Sequence, residues 1–235
     1  MKNLYLHQHL GLGDQIICNG LTRYLCKQYD TVFLFVYAHN MPSIKFMYRD
    51  LGNKMKFISV PKSENWIDHI RFIDSFKNIF RMDDHIRIGY DYLDKSSLCF
   101  DKAFYAQLQI PFQERFDGFY IERDKNKELI FFNNFNVKEN EYIFIHEGGS
   151  ENSSIDYNKI KSPLKQVMVN ISLTSNIFDY YYLIEHAAEI HCVESSFLFM
   201  IDSMHTNGEL ISHRYARKLT EKTIPTLQKK WRIIL

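Results

Sequence analysis

The chain has 235 residues, and its 29 lysines and arginines nearly balance its 28 aspartates and glutamates, which leaves a net charge of +1. This balance gives no electrostatic reason to expect binding to nucleic acid or to an anionic membrane. Hydrophobic residues make up 46% of the chain and aromatic residues 15%, which excludes an intrinsically disordered protein. One large or two small hydrophobic cores are expected at this length.

The four cysteines lie in apolar surroundings and form no C-x-x-C pair; they are Cys18, Cys26, Cys99 and Cys192. They predict reduced, buried thiols in a cytoplasmic protein. No signal peptide precedes the first predicted strand, and no apolar run approaches the roughly 18 residues of a membrane span. Peripheral contact with a membrane stays open.

The first informative stretch runs from Leu4 to Arg23. Residues 4–10 read as a short strand, residues 11–14 as a tight glycine turn, and the apolar residues from Ile16 onward as one face of a helix. This order is typical of the start of an α/β nucleotide-binding domain. Asp14, at the helix start, is either a simple N-cap or a carboxylate that faces a ligand.

The run HLGLGDQIICNGLTRYL resembles the N-terminal GLGD-type loop and helix of GT-B glycosyltransferases of the heptosyltransferase kind. The resemblance implies that Asp14 faces the acceptor hydroxyl as a candidate base, with Gly11 and Gly13 on the acceptor side. GLGDQ is also similar to the GLGNQ loop of bacterial fucosyltransferases. Those enzymes have a later His-x-Arg-Arg run, which residues 85–87 and 146–148 do not supply, so the heptosyltransferase-like branch is preferred.

Strands and helices alternate in the N-terminal half, which predicts a parallel, doubly wound sheet. His39 and Asn40 follow a predicted strand end, where they either line the acceptor side or cap a loop. The predicted strands are 31–37, 55–60 and 84–90, and the predicted helices run from Pro42 through Leu51, from Ser63 through Phe76, and from Ser96 to Leu108.

The segment from Gln113 to Asn140 contains the predicted domain boundary. Residues 116–122 read as extended and 124–135 as helical, and a fresh strand, Tyr142–His146, then restarts the pattern. We therefore predict two Rossmann-like lobes, residues 1–137 and 138–235, with a short second lobe.

The second lobe opens with a strand that runs into Gly148, Gly149 and Ser150. Small residues after a strand expose backbone amides, which suit a pyrophosphate, although a flexible loop without a ligand has the same composition. One of the lysines 159, 161 and 165 is a candidate to neutralise the diphosphate.

Residues 175–204 predict a helix, a short strand, the turn Glu194-Ser195-Ser196, and an apolar helix from Phe197. This order is similar to the turn that holds the sugar nucleotide in the same glycosyltransferase family. The resemblance implies that Glu194 lies near the nucleotide and that Ser195 and Ser196 contact phosphates; the alternative is a simple helix cap. The family commonly has a glycine and a histidine beyond this turn, where the present chain has residues 197–199, Phe-Leu-Phe.

The remaining chain predicts a strand at 208–212, a helical segment at 225–230 and a final strand at 231–235. His7 and His9 form a His-x-His pair but have no acidic or cysteine partners at ligand spacing, and the same is true of His205 and His213. We therefore expect no metal site.

Together these patterns predict an α/β protein of two Rossmann-like lobes with parallel sheets, GT-B-like. The resemblance implies a metal-independent, inverting glycosyltransferase with a nucleotide-diphosphate sugar as donor substrate, a glycan or other hydroxyl acceptor, and no cofactor. One alternative is a catalytically silent module that binds a sugar nucleotide or a glycan. Another is an unrelated Rossmann-type enzyme that uses a nucleotide, although the third glycine of G-x-G-x-x-G is missing after Gly13.

Overall fold

A computed structural model describes residues 2–63, 65–79, 84–149, 153–218 and 220–235. The chain divides into two compact units, Met1–Glu122 and Arg123–Leu235. Each unit contains one sheet in which all paired strands are parallel. The predicted α/β class with two parallel sheets is thereby confirmed.

The sheet of the first unit has the strand order β3-β2-β1-β4. Alternate apolar residues on its central strands, such as Leu4, Leu6, Val32 and Leu34, are fully buried, because helices pack on the sheet of a doubly wound unit. The strands are β1 Asn3–His7, β2 Thr31–Tyr37, β3 Met55–Val60 and β4 Asp84–Arg87.

The helices of the first unit are mostly short. They are α1 Leu12–Ile17, α2 Asn19–Cys26, α3 Met41–Met47, α4 Trp66–Ile79, α5 Asp91–Lys95, α6 Phe100–Gln107 and α7 Glu114–Asp117.

Several predicted boundaries in the first unit are wrong. The strand predicted at residues 4–10 ends at His7, and residues 12–14 of the predicted glycine turn lie in α1. The helix from Pro42 ends at Met47, and 3₁₀ turns follow. The helix predicted from Ser96 begins at Phe100, because Ser96 itself has an extended backbone at the end of α5. The strand predicted to reach residue 90 ends at Arg87, since the backbone then turns through positive φ. The segment predicted as extended from residue 116 starts inside α7.

The sheet of the second unit has the strand order β6-β5-β7-β8-β9. Its core strand β5 is buried along its whole length, as expected for a strand covered on both faces. The strands are β5 Tyr142–His146, β6 Lys165–Met168, β7 Glu189–Cys192, β8 Glu209–His213 and β9 Arg232–Ile234, and the helices are α8 Lys125–Phe132, α9 Tyr181–Glu185 and α10 Ser196–Ser203.

The division between the units falls earlier in the chain than the predicted boundary at residue 138. Helix α8 belongs to the second unit because its aromatic residues pack there: the rings of Phe131 and Tyr180 lie 4.7 Å apart. Arg123, at the start of the unit, forms ion pairs of 2.6 Å with Glu128 and 2.7 Å with Glu185.

The segment predicted as helical at residues 225–230 is irregular. The fully buried carboxylate of Asp202 explains this difference. It accepts the backbone N–H groups of Gln228 at 2.8 Å and Lys229 at 3.0 Å, and the indole N–H of Trp231 at 2.9 Å. The helix predicted from Ser175 is a 3₁₀ turn, Ile177–Tyr180, followed by the short helix α9.

The four cysteines form no disulfide, and three of them are buried. Along the described chain, no helix combines the length and the apolar composition that a membrane crossing requires.

Candidate functional site

The strand order of each sheet reverses at one place, and the loops that follow the strands there carry the predicted site residues. In the first unit the reversal lies between β1 and β4, and in the second between β5 and β7. In open parallel sheets, ligands bind outside the carboxyl ends of the strands at such a reversal. The GLGD turn follows β1, the glycine loop follows β5, and the Glu194 turn follows β7.

The loop after β1 is held by the buried side chain of Gln15. Its carbonyl accepts the amide of Gln8 at 2.5 Å, and its own amide donates to the carbonyls of His9 and Phe35 at 3.2 and 3.4 Å. Because the Gln15 amide bonds both the loop and the carbonyl of Phe35 on β2, the loop between β1 and α1 is held against β2. The glutamine of the GLGDQ run is therefore a structural residue.

Asp14 lies in the first turn of α1, whereas Gly11 takes the N-cap position. The Asp14 side chain is 26% exposed, so it can meet a ligand. A Cβ atom on Gly11 would lie 2.8 Å from Oδ2 of Asp14, so a side chain at this position would displace the carboxylate. Gly13 lies within α1.

His9 is oriented by the backbone of Tyr90. The Tyr90 N–H donates to Nε2 of His9 at 3.1 Å, so the ring carries its proton on Nδ1, which lies 3.8 Å from Oδ2 of Asp14. The ring also packs against Tyr90 and Phe104, with centroids at 4.6 and 5.3 Å. A fixed N–H dipole thus faces the candidate base.

The turn after β4 has an unusual backbone. Gly89 has a φ of 87° and Tyr90 a φ of 50°, a value that a bulky residue seldom adopts. A Cβ on Gly89 would lie 2.6 Å from the His9 ring, so only glycine fits. Such strain is typical of functional sites. The sequence does not predict this turn, because its residues match no motif.

His7 connects the end of β4 to the Tyr90 hydroxyl. Nε of Arg87 donates to Nδ1 of His7 at 3.2 Å, and arginine has no acceptor, so Nε2 of His7 must carry the proton that it shares with the hydroxyl at 2.7 Å. Arg87 also pairs with Asp74 at 2.6 Å. Burial, assisted by the Arg87 charge, lowers the pKa of His7 to about 3.

These loops surround an open cavity of about 400 Å³, within the range of small-molecule sites. It is lined by His9, Leu10, Gly11, Asp14, Tyr37, His69, Tyr90, Asp91, Leu93 and Asp94.

The cavity lining includes Asp14 and Gly11 of the predicted residues, but not Gly13, His39 or Asn40. His39 is exposed and stacks on Tyr37 at 5.3 Å. Asn40 is buried and donates to the carbonyl of Leu10 at 3.1 Å, which is the loop-capping alternative.

In the second unit, the loop after β5 turns through positive φ at both of its glycines. Gly148 and Gly149 have φ values of 96° and 95°, and the Gly148 N–H bonds the carbonyl of Ser153 at 2.6 Å. A Cβ on Gly149 would lie 3.7 Å from the Cβ of Ser195, so the loops after β5 and β7 are neighbours. Ser150 lies outside the described residues.

The Ser195 hydroxyl contacts His146 instead of capping α10. The distance from its Oγ to Nδ1 of His146 is 3.0 Å, and the imidazole stacks on Phe197 at 4.2 Å. Burial lowers the pKa of His146 to about 4. Ser196 is the first residue of α10 and leaves its backbone N–H at the positive end of the helix dipole.

Glu194 is buried, with 3% of its surface exposed. Its Oε1 accepts the hydroxyl of Ser212 at 3.2 Å and Nε of Arg214 at 3.1 Å, and its backbone carbonyl accepts from Arg217 at 3.1 Å. Its Oε2 is buried and has no hydrogen-bond partner among the described residues. An acceptor of this kind requires an explanation, and a ligand hydroxyl is one.

The three candidate lysines are engaged elsewhere. Lys159 and Lys161 donate to the carbonyls of Leu235 and Asn158, and Lys165 donates to the carbonyls of residues 135 and 136. Two cations, Arg214 and Arg217, lie beside the Glu194 turn. The sequence does not predict this position, because they come 20 and 23 residues later.

Two parallel α/β units of this kind define a GT-B-like fold. The structure is similar to that of a glycosyl transferase family 9 protein from Veillonella parvula, with a TM-score of 0.60, 9% identity, and coverage of 90% of this chain and 80% of that chain. It is also similar to the ADP-heptose LPS heptosyltransferase II of E. coli, with a TM-score of 0.56, 12% identity, and coverage of 100% and 90%. At these identities the likeness shows a shared fold. No protein-family model and no curated protein sequence matches the chain.

Proposed function

We propose that this protein is a glycosyltransferase that moves a sugar from a nucleotide-diphosphate sugar to a hydroxyl group of a glycan or other acceptor. The observation that carries the proposal is the position of the chemistry-bearing loops, which follow the strands at the reversal point of each sheet. The two structural neighbours, whose names are those of glycosyltransferases, support the same class.

The second unit holds the donor in this proposal. The loop at Gly148 and Gly149 and the first turn of α10 present backbone N–H groups, which suit a diphosphate. Oε2 of Glu194 accepts a hydroxyl of the sugar nucleotide, which satisfies an otherwise unpaired buried oxygen. Arg214 compensates the charge of the carboxylate, so Glu194 remains an acceptor.

The first unit holds the acceptor, and Asp14 acts as the general base. The acceptor oxygen forms a bond to the anomeric carbon, its proton passes to Asp14, and the nucleoside diphosphate leaves with the electron pair of the broken bond. Base assistance of this kind is typically worth about 10²–10⁴ in rate. A single displacement inverts the anomeric centre, and none of these steps requires a metal ion.

A binding experiment tests the donor assignment. Thermal unfolding is measured with ADP, GDP, UDP, CDP and their sugar conjugates, because a ligand of the folded state at a hundred times its dissociation constant adds about 2.7 kcal/mol of stability. We expect the nucleotides that carry one particular nucleobase to raise the melting temperature clearly. The absence of a shift with every member of the panel would contradict the assignment.

A matched pair of variants locates the binding site. Glu194→Gln removes the charge of the buried carboxylate, and we expect about tenfold weaker nucleotide-sugar binding. Glu209→Gln removes a carboxylate that pairs with Arg232 at 2.7 Å at the surface, and binding should not change. Equal affinities in both variants would argue against a role for Glu194.

A further inference from the structure

The cavity of the first unit carries negative charge. Asp14, Asp91 and Asp94 all line it, and the ten described residues of its wall include no lysine or arginine. Asp91 and Asp94 lie on α5, directly after the strained turn at Tyr90, so the backbone that orients His9 also presents these carboxylates.

The two imidazoles of the wall do not offset this charge. Nε2 of His9 accepts the N–H of Tyr90 at 3.1 Å, and Nε2 of His69 accepts the N–H of Ser63 at 3.0 Å. A protonated imidazole has no acceptor nitrogen, so both rings are neutral in this arrangement. Nδ1 of His69 then donates to the Tyr37 hydroxyl at 2.9 Å.

The guanidinium at the end of β4 is also occupied. Arg87 pairs with Asp74 at 2.6 Å and donates to His7 at 3.2 Å, and it does not line the cavity. Its charge is therefore paired with Asp74, which does not line the cavity.

The remaining wall is amphipathic. Tyr37 and Tyr90 contribute ring surface and Leu10 and Leu93 contribute aliphatic surface around the carboxylates. The wall thus offers ring and aliphatic surface beside its hydrogen-bonding groups. Carboxylates accept hydrogen bonds only, so they favour ligands with hydroxyl or ammonium donors.

We infer that the cavity accepts a sugar that carries no negative charge, either a neutral sugar or an amino sugar, and that it rejects uronic acids and sugar phosphates. This inference rests on the proposed function, because it names the acceptor class of that site. A ligand carboxylate or phosphate would be placed among three like charges, whereas a sugar hydroxyl or ammonium group would be held by them.

Saturation-transfer NMR with methyl glycosides tests the inference without a nucleotide or a turnover step. The panel pairs glucose, galactose and mannose with their uronic acids, and adds glucosamine and glucose 6-phosphate. We expect at least one neutral or amino sugar to bind, and its charged counterpart to bind at least tenfold more weakly. Stronger or equal binding of a uronic acid or the phosphate overturns the inference, as does the absence of any binding.

Two lysine substitutions provide the matched control. Asp94→Lys reverses one charge in the wall and should move the preference toward the uronic acid by about tenfold. Asp117→Lys changes an exposed aspartate outside the cavity and should leave the preference unchanged. Equal effects of both substitutions would overturn the inference. The NMR experiment measures sugar binding without a nucleotide, and the thermal-unfolding panel measures nucleotide binding without an acceptor sugar. Either result can therefore be negative while the other is positive, so the two proposals are tested separately.

Discussion

In the cavity of the first unit, the hydrogen bonds of His9 determine which of its nitrogens faces Asp14. Nε2 of His9 is occupied by the Tyr90 N–H, and Nδ1 already carries the proton that faces Asp14 at 3.8 Å. His9 therefore has no free nitrogen with which to accept a proton from Asp14. We interpret His9 as a positioning residue and Asp14 as the group that takes the proton.

Glycine has two different roles at this scale. Gly11 provides space, since a Cβ would contact the Asp14 carboxylate, and its own φ of −61° is ordinary. Gly89 provides both space and conformation, since its φ is 87° and the His9 ring lies against it. The GLGD pattern contains Gly11, whereas nothing in the local sequence distinguishes Gly89.

At the scale of elements, α2 and α7 pack through glycine. A Cβ on Gly20 would lie 1.9 Å from the carbonyl oxygen of Glu114, and a Cβ on Gly118 would lie 3.2 Å from Cα of Gly20. The contact joins α2, which follows α1, to α7, the last helix of the first unit. Asn19 strengthens it by accepting the N–H of Tyr120 at 3.0 Å.

The substitution Gly20→Ala should destabilise the first unit. A methyl group cannot displace a helix backbone cheaply, so we expect a loss of about 1–3 kcal/mol, as for overpacked cores. Urea unfolding measures the change, and Gln28→Ala, on the exposed surface after α2, should remain within about 0.5 kcal/mol of the wild type. Equal stability of Gly20→Ala and the wild type would mean that the two helices do not meet as described.

Considered as a whole, the molecule buries several histidines in the neutral form. A series of hydrogen bonds in the second unit shows this. The N–H of Asp156 donates to the Tyr215 hydroxyl, which donates to His213. His213 then donates to His191 at 2.8 Å, and His191 donates to Glu189 at 3.1 Å. In this series of hydrogen bonds, each imidazole ring has one protonated nitrogen and one nitrogen that accepts a hydrogen bond. Burial lowers the pKa of His213 to about 4.

We expect the protein to lose stability as the pH falls from 7 to 5. The folded pKa values of His7, His146 and His213, about 3, 4 and 4, lie below the ordinary value of 6.5, so the unfolded state binds more protons in this range. The stabilising contribution is complete above pH 6.5 and is lost below it, at up to about 1.4 kcal/mol per pH unit for each histidine.

Urea unfolding at pH 7.5, 6 and 5 measures this slope. His213→Gln should reduce the slope by close to one proton, whereas His205→Gln, at an exposed position, should leave it unchanged. A stability that is constant or higher at pH 5 contradicts the protonation states described above.

The architecture was predictable because its signals are local. Continuous apolar runs such as TVFLFVY predict buried parallel strands, and all but one of the strands were expected near their observed positions; β6 was missed, since its sequence KQVM has a single buried residue. Alternating strands and helices then determine the α/β class. The boundary near residue 122 depends on which core the aromatic face of α8 joins, and this is not a local property.

The candidate site was predictable only where residues adjacent in sequence form it. Asp14 and the Glu194 turn come shortly after strands in the sequence, so the alternation of strands and helices predicts where they lie. Tyr90 and Asp91 reach the cavity of the first unit through the strand order and a positive φ. In the second unit, Arg214 reaches Glu194 from a position 20 residues later. No sequence spacing reveals either contact. The roles of the selected residues remain predictions.

The most direct test of the account is turnover of the sugar nucleotide that stabilises the protein, followed by mass spectrometry of the products with a methyl glycoside acceptor. We predict transfer by the wild type and by the Asp117→Asn control, and a rate about 10²–10⁴ lower for Asp14→Asn, with nucleotide binding retained. Failure of the wild type to consume any sugar nucleotide, or full activity of Asp14→Asn, would contradict the central claim.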